Sequence, residues 1–144
     1  MDLGYSAILS GLSQLGDREV KVGVFADAGT EPDGTSLADV AIWNEYGTDH
    51  IPSRPFMRIT ADKNEKNWQG LAEKAVGRII DQGGGSPRQV LEVIGIAAVG
   101  DVQEVIGSSE LAADSSGTIK RKGSDAPLID KGRLRQSIKF KIED

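Results

Sequence analysis

The chain has 144 residues, which is enough for a single domain, residues 1–144, with a core of a few dozen side chains. It lacks cysteine, so a disulfide framework, a thiolate zinc site and a thiol nucleophile are excluded. The sequence has neither a basic n-region followed by an apolar stretch at its start nor a run of about 18 apolar residues anywhere, so it reads as a soluble protein with no signal peptide and no membrane span.

Taken in order, Leu3 to Leu15 places Ile8, Leu12 and Leu15 at helical spacing and predicts a helix that ends near Gly16. From Glu19 to Phe25 the alternation of Val20, Val22 and Val24 with Lys21 and Gly23 predicts a strand. A turn-rich connection containing Asp33-Gly34 follows. Leu37 to Tyr46 predicts a short helix with Leu37, Val40, Ala41 and Tyr46 near one face, Ser36 as N-cap and Gly47 as the residue that leaves the helix with positive φ.

The segment Pro52-Ser53-Arg54-Pro55-Phe56-Met57-Arg58 is a stiff elbow. Each proline fixes its own φ and pushes its predecessor out of the helical region, so residues 51 to 55 are expected to run extended. A strut with little freedom to lose suits docking. Phe56 reads as an apolar anchor, and Arg54 and Arg58 as guanidinium groups suited to bidentate pairing with carboxylates. The bland alternative is a loop stiffened by its prolines, with arginines that are solvated or paired within the chain.

Thr60 to Gln82 carries Trp68, Leu71, Ala72, Ala75 and Ile79 on one helical face and charged residues largely on the other. Gly83-Gly84-Gly85 breaks that helix, and Ser86-Pro87 forms an N-cap and first-turn pair that launches a second helix over Arg88 to Ile106. The glycine triplet is not followed by Gly-Lys-Ser/Thr and reads as a hinge rather than a phosphate loop. About 107–127 the chain is rich in Ser, Gly, Asp and Lys without periodicity, and a mobile loop is expected there. Gln136 to Ile142 alternates Ile138, Phe140 and Ile142 with Lys139 and Lys141 and predicts a second strand, whose lysines would blunt an exposed edge. The expected fold is therefore α+β: a small, mostly antiparallel sheet packed against two longer amphipathic helices, with a long mobile loop.

Charge is divided along the chain. Thr118 to Lys141 carries eight Lys or Arg against Asp125 and Asp130, a net +6, which leaves −11 on the remainder. A basic end and an acidic body suit head-to-tail association. A solvated basic tail is the plainer reading. Nucleic-acid contact is weaker, because the acidic body opposes phosphate and no aromatic residue interleaves the cluster.

Little in the sequence carries catalysis. His50 is the only histidine, no Gly-x-Ser-x-Gly elbow accompanies it, and no metal-ligand spacing surrounds it. No carboxylate stands in an apolar setting that would raise its pKa. Trp43 and Trp68 lie at helical spacing with other apolar residues and are assigned to core packing. The chain is read as a non-enzyme with no cofactor and no metal. A small hydrolase or nuclease built on His50 and carboxylates is the rival class.

Asn44-Glu45-Tyr46-Gly47 followed by Ile51 to Arg58, then Thr118-Ile119-Lys120-Arg121-Lys122-Gly123 and Pro127-Leu128-Ile129-Asp130-Lys131-Gly132-Arg133-Leu134-Arg135-Gln136-Ser137-Ile138, resembles a family of small tailed-bacteriophage proteins at the head–tail junction. These are the neck or tail-completion proteins, minor tail components of lambdoid long-tailed phages, with related virion-morphogenesis proteins in contractile-tailed phages. The resemblance runs from the first strand to the C-terminus, with both motif blocks in order. It implies an α+β fold, no enzymatic activity, assembly into a ring of about six or twelve subunits, and a structural virion role in completing the tail and joining it to the head connector. Partners implied are further copies of the chain, a connector or stopper protein, and a tail terminator or tail-tube protein, with incidental contact to DNA in the lumen and none with membrane. The implied location is the virion neck or tail, and the host cytoplasm during assembly.

Lys131 stands where family members often carry Thr or Ser, and Leu111 to Asp114 lacks a proline associated with that region. This leaves open whether the subunit is the neck ring, a terminator capping the tail tube, or a non-virion assembly factor. Candidate interaction residues are Arg54, Pro55, Phe56 and Arg58 in the elbow and Lys120, Arg121, Leu128, Ile129, Arg133, Leu134 and Arg135 in the basic segment.

Overall fold

The computed structural model describes residues 18–83, 86–108 and 132–143. The alternating run near the start forms strand β1 (Glu19–Gly23), followed by a single 3-10 turn at Ala26–Ala28. Three helices come next, α1 (Leu37–Tyr46), α2 (Phe56–Asp81) and α3 (Pro87–Ile106). A short helix α4 (Gly132–Gln136) and strand β2 (Lys139–Glu143) complete the described elements. The two strands pair antiparallel and the helices carry most of the mass, an α+β fold as the sequence pattern predicts.

The chain divides into two compact units. One comprises Met1–Val22, Asn64–Ala98 and Phe140–Asp144. Its sheet follows the period of two: Val20, Val22, Phe140 and Ile142 are half-buried on one face, while Glu19, Lys21, Lys141 and Glu143 are exposed on the other. On the exposed face Lys21 Nζ meets Glu143 Oε2 at 2.8 Å across the strands and Glu19 Oε1 at 3.5 Å along its own. On the inner face the Phe140 ring lies directly over the backbone of α3 at Gly95, where a Cβ would come within 2.5 Å of the ring. Ile79, Val90 and Ala98 are the buried apolar side chains of this unit among the described residues.

The other unit comprises Gly23–Lys63 and Val99–Lys139. Its core is built from Leu37 and Val40 of α1, Phe56 and Thr60 of α2, Val102, Val105 and Ile106 of α3, Leu134 of α4, and Ile138. Helix α1 packs against α4 and against the 3-10 turn. A short hairpin precedes α1: Thr30 and Ser36 form an antiparallel bridge, and Glu31 N–H donates to Thr35 O at 2.8 Å.

Several boundaries differ from the sequence pattern. Helix α2 begins at Phe56, four residues before Thr60, because the backbone turns into the helix as soon as the second proline is passed; Ile59 N–H already bonds Pro55 O at 2.9 Å. The second strand starts at Lys139 and not at Gln136. Leu134 is drawn into the core, and Ser137 closes the turn by donating its backbone N–H to Arg133 O and its hydroxyl to Leu134 O. Tyr46 is on the opposite side of α1 from Leu37, since nine residues make two and a half turns, and it is 70% exposed. The face that is buried instead joins Leu37 and Val40 to two polar residues, Asn44 and Glu45. Trp43, assigned to the core by its spacing, is 41% exposed. The expected helix Leu3–Leu15 and nearly all of the expected loop 107–127 lie outside the described residues.

Candidate functional site

The elbow is held from inside the chain by Glu45. Helix α2 has proline immediately before its first residue, so no Ser, Thr, Asp or Asn side chain at that position can satisfy the first free N–H groups. The Glu45 carboxylate does so from α1. Oε2 accepts Met57 N–H at 2.8 Å, and Oε1 accepts Arg58 N–H at 3.1 Å. A buried carboxylate facing a helix N-terminus is favoured both by these bonds and by the helix dipole.

Arg58 returns the interaction. Its Nε donates to Glu45 Oε1 at 3.1 Å and its Nη2 to the Glu45 carbonyl at 2.7 Å. Its guanidinium carbon then lies 5.3 Å from the centre of the Tyr46 ring, within cation–π range. Ser53 Oγ donates to the same Glu45 carbonyl at 2.8 Å, and Arg54 N–H donates to Asn44 O at 2.6 Å. The proline run is thus fastened to the last turn of α1 along its length.

Gly47 makes the close approach possible. It has φ 78° and ψ 170°, a conformation open essentially to glycine alone. A Cβ there would stand 2.9 Å from Ser53 N and 3.0 Å from Ile51 O, both backbone atoms that cannot move aside cheaply. Its N–H closes α1 onto Trp43 O at 2.8 Å. The loop beyond is folded on Thr48, whose Oγ1 accepts the N–H groups of His50 and Ile51 at 3.2 and 3.0 Å. His50 is exposed in that loop.

Three elbow residues therefore act differently from the sequence expectation. Phe56 is 1% exposed and fills the core of its own unit, so it is not an anchor offered to a partner. Arg54 is 7% exposed, and its backbone N–H is bonded to Asn44 O of α1. Arg58 does pair with a carboxylate, as a guanidinium at this spacing suggests, but the carboxylate belongs to Glu45 of the same chain. Pro55 is half-buried beside them. Of the basic segment, Arg133 and Arg135 are exposed on α4 and Leu134 is buried, while Lys120, Arg121, Leu128 and Ile129 lie outside the described residues. The sequence signal for the role of Glu45 is the proline before Phe56, which leaves the start of α2 without a local cap.

What the elbow presents outward is carried by α1. Ile42 and Tyr46 are exposed, with Arg58 over the tyrosine ring, and beside them an apolar depression of about 180 Å³ is lined by Val24, Ala38, Ala41 and Met57. On a neighbouring face of α1, Trp43 borders a pocket of about 480 Å³ lined also by Glu31, Asp33 and Thr35 of the hairpin turn. Among the described residues no three His, Cys, Asp or Glu side chains come together in a group able to hold a metal ion, and no helix is long and apolar enough to cross a membrane. Compared with known proteins, the chain matches no family model, no curated protein and no solved structure.

Proposed function

We propose that this protein is a structural component of a tailed-phage neck, assembling as a ring that completes the tail and joins it to the head connector. The observation that carries the reading is the Glu45 clamp. It ties Asn44 to Arg58, one of the two motif blocks that carry the resemblance, into one prefolded unit, so that its outer face can be engaged without first being ordered. Exposed Ile42 and Tyr46, with Arg58 stacked on the tyrosine, are the composition expected at an interface centre, where aromatic residues and arginine are enriched. The role is one of assembly and not of turnover. Its partners are copies of itself and the adjoining connector and tail proteins, and its place is the virion neck, with the host cytoplasm as the site of assembly.

Light scattering on the purified protein, alone and mixed with its connector or tail-tube partner, tests this directly. The expected result is a discrete oligomer or a defined complex. A monomer that ignores both partners at every concentration removes the reading.

A further inference from the structure

We infer that the pocket beside Trp43 is the receiving half of the ring contact, and that it takes the basic side chains of Lys120-Arg121-Lys122 from a second copy of the chain. The inference rests on the assembly reading above and assigns one interface within it.

The pocket, about 480 Å³, falls in the size range of ligand sites, roughly 300–1,000 Å³. Its rim is acidic and its wall aromatic: Glu31 and Asp33 come from the hairpin turn, Pro32 and Ile51 supply apolar surface, and Trp43 is unusually open for its type. The two carboxylates are carried on a fixed frame. Glu31 is bonded through its backbone to Thr35 O and to Gly34 N–H, and Asp33 Oδ1 accepts Thr35 N–H at 2.9 Å. That bond holds the Asp33 carboxyl below the usual carboxylate range, so its charge persists under mildly acidic conditions. Among the described residues neither carboxylate has an ion-pair partner.

Asn44 also lines the pocket. Asn44 Nδ2 donates to Val40 O at 2.8 Å, which fixes the amide orientation and leaves Oδ1 buried with no hydrogen-bond partner. Two carboxylates beside an exposed indole are the elements that recognise an ammonium or guanidinium group. They do not suit an anion, and they do not suit a purely apolar side chain.

The chain itself supplies the complementary group. Lys120, Arg121 and Lys122 are consecutive, are followed directly by Gly123, and belong to the stretch that carries +6 against −11 elsewhere. In a head-to-tail ring each subunit must offer one surface and receive a different one. A basic segment and an acidic, tryptophan-walled pocket on one chain meet that requirement.

The test uses two full-length variants, Glu31→Gln/Asp33→Asn and Lys120→Gln/Arg121→Gln/Lys122→Gln. Asparagine at 33 preserves the turn, since it accepts the same backbone bond. Light scattering at increasing protein concentration is expected to show wild type assembling and each variant associating at least about tenfold more weakly, a tenfold change in equilibrium constant being 1.4 kcal/mol. An equimolar mixture of the two is expected to form a 1:1 complex and stop there, because the first variant still has the segment and the second still has the pocket. In a Trp68→Phe background, where Trp43 is the sole indole, the emission of Trp43 should shift on mixing.

Unchanged assembly by either variant would overturn the pocket while leaving the ring reading in place. So would a mixture that stays monomeric when wild type assembles, or a Trp43 response that appears without association, which would place the segment in the pocket of its own chain. A wild-type protein that is monomeric alone and with its phage partners removes both readings. Circular dichroism on each variant separates loss of contact from loss of fold.

Discussion

At the residue scale, Glu45 does two jobs with one carboxylate: it satisfies the start of α2 and pairs with Arg58. The two jobs are unequal. Arg58 is more than half exposed, so its ion pair is screened by water and contributes at most about 1 kcal/mol. The bonds to Met57 and Arg58 N–H are made by a buried carboxylate, and charge-assisted bonds of this kind contribute about 1.5–3 kcal/mol each before context reduces them. We therefore expect Glu45→Ala to destabilise the protein by about 2–4 kcal/mol, Glu45→Gln by about half as much because one oxygen remains to accept, and Arg58→Ala by about 1 kcal/mol or less. Urea denaturation midpoints order the three variants. If Arg58→Ala proved the most damaging, the helix cap would not be the main role of Glu45.

At the element scale, the two long helices carry glycines that look alike in the sequence and differ in space. Gly95 and Gly100 both lie inside α3. At Gly100 an added Cβ meets nothing within 4 Å, and alanine should stabilise the helix by about 0.5–1 kcal/mol through propensity alone. At Gly95 the same change drives a methyl group into the Phe140 ring, and overpacking of about 1–3 kcal/mol exceeds the propensity gain. Thermal melts should move in opposite directions for Gly100→Ala and Gly95→Ala. Equal stabilisation by both would mean the sheet can slide off α3 freely.

The helices and strands were legible in the sequence because their periods and their punctuation agree. Ser36 and Gly47 bracket α1, Ser86 and Pro87 open α3, and the valines of β1 alternate. The direction in which each side chain points was less legible. Phe56 reads as an outward anchor and Tyr46 as a member of the Leu37 face of α1, yet Phe56 is core and Tyr46 is surface. The deciding fact, the reach of Glu45 across twelve and thirteen residues to the start of α2, is a tertiary contact that no local period encodes. The Trp43 pocket was hidden for the same reason, since its rim comes from a hairpin turn and its wall from a helix.

At the element scale also, the sheet carries one titrating contact. Hydrogen bonding to Glu143, and then the charges of Glu143 and Glu19, raise the Lys21 ammonium above its ordinary 10.5. A raised folded-state value means that the contribution is fully present below 10.5 and is lost as the pH climbs through the folded value. The difference in denaturation midpoint between wild type and Glu143→Gln should accordingly be constant from neutrality towards 10.5 and should shrink above it. A difference that grows with pH in that range would have the wrong sign for this pair.

At the scale of the whole molecule, the −5 net charge conceals a division that decides how the protein should respond to salt. In the ring proposed above, two copies approaching with like net charge repel weakly at long range, and the approach would be productive only when the basic stretch of one faces the acidic body of the other. Salt shortens the reach of both effects, from a Debye length of about 10 Å at 0.1 M to about 3 Å at 1 M. Exposed unlike charges are the ones most affected, so the assembly constant should fall as sodium chloride is raised from 0.1 M to 1 M. A contact made chiefly by the apolar face of α1 should not weaken in this way, and kosmotropic salts such as sulfate should strengthen it. Sedimentation at equal ionic strength in chloride and in sulfate separates the two. A fall in both salts assigns the dominant contact to the charged segment and its pocket, whereas strengthening in sulfate assigns it to Ile42, Tyr46 and the depression beside them.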